Sequence, residues 1–233
     1  MVTTVWAEAR GFALKKSPEH DAPRPRGRPR DEERAARRHD EILSTATRLF
    51  AERGYPRTDL QLVADALSVG KGTIYRYFPS KRELFLAAVD RGMRRLTDRI
   101  DRTVSACDEP LKRMHAGIQA YLGFFAENPD LVELFIQERA EFRDRETPTY
   151  FLHRERNVKR WHDEVQAMIE TGRMRPIPAE RITQVIGDLL YGTMFTNYFS
   201  RRQMPVEQQA ADIFDVAFRG ILSDKEREAI HGD

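Results

Sequence analysis

Apolar residues recur along most of this chain at spacings of three and four, the period of a helix that buries one face. The first such stretch runs from about Asp31 to Arg53 and carries Ile42, Leu43, Ala46, Leu49 and Phe50. Asp31, Glu32 and Glu33 suit its first turn, where the helix dipole favours negative charge, and Gly54 is placed to end it. A short helix is predicted at about 58–67 and another at about 71–77, stopped by Pro79. Ser80 with Glu83 three residues later forms a capping box. It opens a long helix through Leu84, Phe85, Val89, Met93, Leu96, Ile100 and Val104. Further helices follow from Pro110, broken at Asn128-Pro129, then at 130–143, about 149–172, about 179–200 and about 206–222. No alternating β-branched run is bounded by hairpin turns, so strands are not expected. The pattern predicts an all-α chain of about nine helices.

Inside it, Leu60 to Phe78 reads as a helix-turn-helix. Two short helices meeting at a steep angle must share one small core. Val63 and Leu67 lie four apart on the first, Val69 fills the turn, and Ile74 and Tyr77 lie three apart on the second. Ala64 falls at the crossing, where a small side chain permits close approach. The other face of the second helix presents Lys71, Gly72, Thr73 and Arg76, with Tyr75 beside them. Donors near a helix N-terminus suit phosphates and the acceptor-rich edges of bases in the major groove. On these residues alone, an αα-hairpin inside an ordinary bundle remains the alternative.

Charge sharpens the picture. The chain of 233 residues has 39 basic and 37 acidic side chains, a net charge of +2, but residues 21–30 hold four arginines against one aspartate. Residues 1–30 show no sustained period, contain Pro18, Pro23, Pro25 and Pro29, and are expected to form a disordered basic arm. Arg26-Gly27-Arg28 between prolines looks like the core of an AT-hook. That slim extended element suits the narrow minor groove of A·T-rich DNA, so Arg26 and Arg28 are candidate DNA contacts.

The order Phe50-Ala51-Glu52-Arg53-Gly54-Tyr55, Thr58, Val63-Ala64, Val69, Gly72-Thr73-Ile74-Tyr75-Arg76-Tyr77-Phe78, Ser80-Lys81 and Leu84 resembles the TetR family, the tetracycline-repressor-like regulators. The resemblance covers roughly residues 34–90. It implies a three-helix DNA-binding domain at 31–80 and an effector-binding and dimerisation bundle at 81–233. It further implies that Thr58, Tyr75, Tyr77 and Lys81 grip phosphates while Lys71, Thr73 and Arg76 lie nearest base edges. Phosphate contacts set register and groove contacts set sequence preference. The chain departs from the family in the turn, where Ser68 stands in place of glycine and Leu67 in place of a small residue. A non-glycine residue held left-handed there costs roughly 1 kcal/mol.

The resemblance also implies a ligand cavity among the helices after the fourth. Met114, His115, Ile118, Tyr121, Phe125, Trp161 and Met168 are the candidate lining, with His115 and Gln119 as polar anchors. Aromatic and methionine walls favour a small apolar or aromatic effector. These residues could equally be plain core. The last two helices carry Ile182, Val185, Ile186, Leu189 and Leu190, then Ile213, Phe214, Phe218 and Ile221. In the family such helices pair across a twofold axis, which makes Ile186, Leu190, Phe214, Phe218 and Ile221 the expected homodimer interface. Packing within the chain is the other reading.

Other chemistries find no support. Asp65 and Gly72 occupy places where a phosphate loop needs glycine and Ser/Thr. No two of the six histidines are three to five residues apart, so no metal site is expected. No Gly-x-Ser-x-Gly elbow occurs, and no cofactor is implied. The lone Cys107 suits a reducing cytosol, no span approaches membrane length, and Glu8, Arg10, Lys15 and Lys16 interrupt any secretory leader. The expected protein is therefore cytoplasmic, not an enzyme, and a regulator that binds a palindromic operator as a homodimer and is released by a small molecule. A DNA-binding architectural protein using the arm alone, or an all-α small-molecule enzyme, are the alternatives.

Overall fold

The computed structural model describes residues 29–202 and 204–220. The basic arm with Arg26 and Arg28, and Ile221 of the expected interface, lie outside the described residues. The described residues hold nine α-helices and no strand. They are α1 (Pro29–Arg53), α2 (Leu60–Ala66), α3 (Lys71–Tyr77), α4 (Lys81–Val104), α5 (Pro110–Glu127), α6 (Pro129–Glu141), α7 (Thr149–Glu170), α8 (Ala179–Ser200) and α9 (Val206–Phe214). α1 begins two residues before the expected Asp31, because a proline in the first turn loses no hydrogen bond and brings a helical φ. α9 is shorter than the expected 206–222. Its α-helical pattern gives way to a π-helical turn over Asp215–Arg219 that ends at Gly220, whose φ is +84°.

Local chemistry fixes the other ends. Gly54 takes φ +81° and donates its N–H to the Phe50 carbonyl at 2.9 Å, closing α1. Asp59 caps α2, its carboxylate accepting from the Leu62 N–H at 2.9 Å. Ser80 caps α4, its Oγ accepting from the Glu83 N–H at 3.1 Å while Glu83 reaches back to that hydroxyl at 3.2 Å. Between α2 and α3, Ser68 holds φ +52°, the left-handed position the sequence assigns to it. The strain is offset by hydrogen bonds from Ser68 N to Asp65 O and from Val69 N to Ala64 O, both 3.0 Å.

α1, α2 and α3 close on Ile42, Val63, Ala64 and Ile74, all fully buried. This core does not stop where α4 begins. Phe50 of α1 meets Phe85 of α4 edge to face at 5.0 Å, and Tyr55 meets both Phe85 (5.2 Å) and Phe142 past α6 (4.9 Å). One apolar cluster thus runs from α1 into α5, α6 and α8. A smaller one gathers Met114, Val165, Met168 and Ala179. Polar ties reinforce the junction. Gln137 of α6 donates to the Phe50 carbonyl at 2.9 Å, Arg82 pairs with Asp144 at 2.5 Å, and Arg91 of α4 makes a two-pronged bond to Asp40 of α1. That guanidinium holds the Asp40 carboxyl below the usual aspartate range.

Candidate nucleic-acid interface and the cavity behind it

α3 buries Ile74 and exposes its opposite side. Lys71, Gly72, Tyr75 and Arg76 are exposed, and Thr73 and Tyr77 are half-buried. Lys71 Nζ lies 5.6 Å from the Tyr75 ring centre and Arg76 Cζ 5.3 Å from that of Tyr77, so both cations are steadied over aromatic faces of their own helix. Gly70 N-caps α3 with no side-chain hydrogen bond to the helix. Gly72 costs a helix up to ~1 kcal/mol against alanine. Yet a Cβ built there would meet nothing within 4 Å, so the packing of the chain itself gives no reason for glycine at that position. Lys81 stands at the start of α4 with Nζ donating to the Pro56 carbonyl at 3.1 Å and 4.3 Å from the Tyr55 ring centre. Partial burial lowers its pKa from the usual lysine value.

Thr58 does not fit the role expected of it. It is fully buried, and its hydroxyl bridges the Leu49 and Gly54 carbonyls at 3.1 and 3.0 Å. With its backbone N–H turned to Tyr55 O, no donor of Thr58 is left for a phosphate. Its work is to tie the end of α1 to the start of α2.

Behind this unit a cavity of about 180 Å³ opens between α4, α5, α7 and α8. Met93, Leu96, Thr97 and Ile100 come from α4, and Met114, Gly117, Ile118 and Tyr121 from α5. Tyr150, His153, Arg154, Asn157 and Trp161 come from α7, and Ile186, Gly187 and Leu190 from α8, with Phe218 at the end. Met114, Ile118, Tyr121 and Trp161 therefore stand where expected. Three candidates do not. His115 turns its ring edge-on to Phe214 at 5.3 Å, Phe125 packs among Tyr121, Phe124 and Phe135, and Met168 is buried in the smaller apolar cluster. Their helices roll these positions away from the opening.

The polar members of the wall come mainly from α7, at positions 150, 153, 154 and 157, one helical stripe. Arg154 donates to Asp188 at 2.7 Å and to the Gln184 carbonyl at 3.1 Å. Arg160 pairs with Asp101 at 2.5 Å, His153 Nε2 lies 2.7 Å from Asp90, and Asn157 donates to Thr97 Oγ1 at 3.0 Å. Gly187 makes room for the Arg154 guanidinium, since a Cβ there would come within 2.7 Å of Nη2. Gly117 does the same for Trp161, with a Cβ at 2.9 Å from Cη2.

Within the single chain, the described residues expected at the dimer interface are partly buried. Ile186, Leu190 and Phe218 line the cavity, and Phe214 stacks on Phe218 with centroids 4.5 Å apart. The large apolar residues that α8 exposes are Val185 (61% exposed), Leu189 (41%) and Phe199 (67%), and the π-helical turn adds Val216 (52%). Gly192 and Thr196 continue the α8 stripe at helical spacing, and both are exposed. One residue of sequence is about 100° of helix, enough to separate the two faces. Among the described residues no cluster of three His, Cys, Asp or Glu could hold a metal, and no helix is long and apolar enough to cross a membrane.

A helix-turn-helix with an open, cation-bearing second helix, carried on a larger helical body, defines a DNA-binding regulator. Residues 42–88 match the model for bacterial regulatory proteins of the tetR family. The chain is 25% identical over 169 residues to the HTH-type transcriptional regulator YhgD of Bacillus subtilis (strain 168), covering 72% of this chain and 87% of that protein. It is 32% identical over 96 residues to the HTH-type transcriptional repressor KstR of Mycobacterium tuberculosis, covering 41% and 44%. Apart from YhgD, the first curated relatives are matched over about half their length. In fold, the chain superposes on the transcriptional regulator FadR from Bacillus subtilis, solved in complex with stearoyl-CoA, with a TM-score of 0.68 at 15% identity over 79% of this chain and all of that one. Residues 42–88 are thus a DNA-binding segment of the tetR type, and the rest of the chain shares its fold with regulators that carry the same segment.

Proposed function

We propose that the protein is a ligand-released repressor that binds a palindromic operator as a homodimer, working in the cytoplasm where that DNA lies. The observation that carries this is α3: a basic and aromatic outer face whose glycine leaves 4 Å of open space, which suits close approach of a groove wall. Lys71, Thr73 and Arg76 read bases, Tyr75, Tyr77 and Lys81 hold phosphates, and Arg26 and Arg28 of the arm add minor-groove contacts. This division takes residues 31–80 as the DNA-binding unit and 81–233 as the body. The repressor sense follows KstR, a repressor by name.

Two copies pair through the exposed stripe of Val185, Leu189, Gly192, Thr196 and Phe199 on α8, with Val216 beside it. Pairing must set the two α3 helices about one DNA turn apart, roughly 34 Å or a multiple of it. The cavity takes the effector. Five of its lining residues belong to α4, whose first turn follows α3 by only Phe78, Pro79 and Ser80. From Met93 to Lys81 is about 18 Å of helix. A tilt of about 10° there moves the reading head by about 3 Å, enough to break base contacts. The effector must favour the tilted arrangement. A coupling of ~1–3 kcal/mol gives roughly 5–150-fold release.

The test is a gel shift against DNA upstream of the protein's own gene, with random A·T-rich DNA as competitor. Arg76→Ala and Thr73→Ala should each cost ~1–3 kcal/mol of specific binding. Specific binding left unchanged in both variants overturns the assignment.

A further inference from the structure

We propose that the cavity takes an uncharged molecule of about one ring's bulk that carries a neutral oxygen, carbonyl or hydroxyl, bound by the paired phenols of Tyr150 and Tyr121. This rests on the reading of the cavity as the effector site, and it names the chemical class of the effector.

Size comes first. A cavity of about 150 Å³ lined by aliphatic and aromatic side chains holds benzene. At about 180 Å³ this one holds a single ring with a short substituent, or an aliphatic molecule of equal bulk.

Charge comes second. The cationic side chains in the wall already have carboxylate partners, Arg154 with Asp188 and Arg160 with Asp101, and the His153 ring is hydrogen-bonded to Asp90. An incoming carboxylate would have to displace one of these carboxylates or lie beside it. Either course sets a second carboxylate against a guanidinium that one carboxylate already neutralises, so the pair offers an incoming anion no net countercharge. The rest of the wall, with Met93, Leu96, Ile100, Ile118 and Trp161, offers dispersion and no countercharge.

The phenol pair is the third observation. Tyr121 and Tyr150 both line the cavity and are nearly fully buried, with hydroxyl oxygens 2.9 Å apart. Two hydroxyls sharing one bond have one proton left over. If Tyr150 donates to Tyr121, the Tyr121 proton has only Met194 Sδ at 3.8 Å, a weak acceptor, and the Tyr150 oxygen keeps a free lone pair. If the pair turns round, Tyr150 is free to donate. The pair therefore serves a ligand hydroxyl in one orientation and a ligand carbonyl in the other. Burial raises the Tyr121 pKa well above the ordinary phenol value and pushes Tyr150 up to about 12, so both protons stay in place at neutral pH.

The test uses four probes of nearly equal shape: acetophenone, 1-phenylethanol, isopropenylbenzene and benzoate. Each is titrated calorimetrically into the full chain and into Tyr150→Phe. Benzoate should bind at least about tenfold more weakly than acetophenone. Tyr150→Phe should weaken acetophenone and 1-phenylethanol about fivefold to tenfold, the worth of one hydrogen bond, and leave isopropenylbenzene unchanged. Equal or tighter binding of benzoate overturns the proposal. So does a Tyr150→Phe effect that is the same for isopropenylbenzene, or no binding of any probe at millimolar concentration. If Tyr150→Phe does not fold, the acetophenone-to-benzoate ratio on the native chain decides. A gel shift with saturating acetophenone is read separately. Selective binding that leaves the DNA complex intact refutes the effector role and keeps the ligand class.

Discussion

Replacing Thr58 by valine separates a phosphate contact from a structural tie. The shape is kept and only the hydroxyl is lost. That hydroxyl is fully buried and bridges the carbonyls of Leu49 and Gly54 at 3.1 and 3.0 Å. The shared bond is worth ~1 kcal/mol net, and a buried carbonyl left without its donor costs ~1–3 kcal/mol. The methyl that replaces the hydroxyl recovers part of this by apolar burial. The sum is a loss of roughly 1–3 kcal/mol. For a chain of this length each kcal/mol is about 2–4 °C of melting temperature, so calorimetry should show a fall of about 3–10 °C. Operator affinity measured well below melting should hold, and the slope of log K against log salt should not change. A phosphate contact gives the opposite result: intact stability and a salt slope lower by about one. That outcome would refute the structural role.

Three further outcomes follow from the same geometry. Gly117→Ala should push the Trp161 indole into the cavity, because the new Cβ lies 2.9 Å from Cη2; calorimetry should then show weaker acetophenone binding with operator affinity unchanged. Leu189→Arg should give monomers by sedimentation at micromolar concentration that keep their helical circular dichroism, since the residue is exposed in the single chain, whereas Phe218→Glu should destabilise the chain by burying a charge at the cavity wall. Deleting residues 1–28 should lower affinity more at A·T-flanked than at G·C-flanked operators; an unaltered ratio in binding assays removes the arm from the minor groove.

Helix boundaries were legible because the residues that cap and break helices act locally. Gly54, Ser80 and Pro110 each settle a helix end with atoms a few residues away, whereas the Asp59 cap, which starts α2 at Leu60, went unread. Ser68 was legible by another route, the family resemblance, which puts glycine at that place in the turn and so implies a left-handed residue there. Which way a helix faces was harder. α8 is apolar on two sides, so Ile186 and Leu190 could not be told from Val185 and Leu189 by periodicity; packing on α7 decides. The cavity wall had a signal that went unread. Along α7, Tyr150, His153, Arg154, Asn157 and Trp161 fall on one stripe, and polar residues inside an otherwise apolar stripe mark a lined space rather than a core. Thr58 misled because a hydroxyl near a DNA-binding helix suits a phosphate and a carbonyl alike, and only burial tells them apart.

The junction between cavity and reading head can be weighed by the bonds that cross it. α7, which carries most of the polar wall, begins at Thr149, whose N–H and hydroxyl both donate to Glu138 Oε1 at 2.9 and 2.7 Å. Glu138 is 2% exposed, and Arg145 lies 3.6 Å from the same oxygen. The residue beside it, Gln137, holds the Phe50 carbonyl near the end of α1. α6 thus grips α7 with one residue and α1 with its neighbour. Hydrogen bonds to a charged group are worth ~1.5–3 kcal/mol each, so freeing the first turn of α7 from Glu138 costs more than the ~1–3 kcal/mol that effector coupling supplies. A ligand that displaces α7 must therefore carry α6 with it. Because α6 also reaches Tyr55 and Arg82 through Phe142 and Asp144, that displacement arrives at both ends of the DNA-binding unit, at α1 through Gln137 and at the first turn of α4 through Arg82.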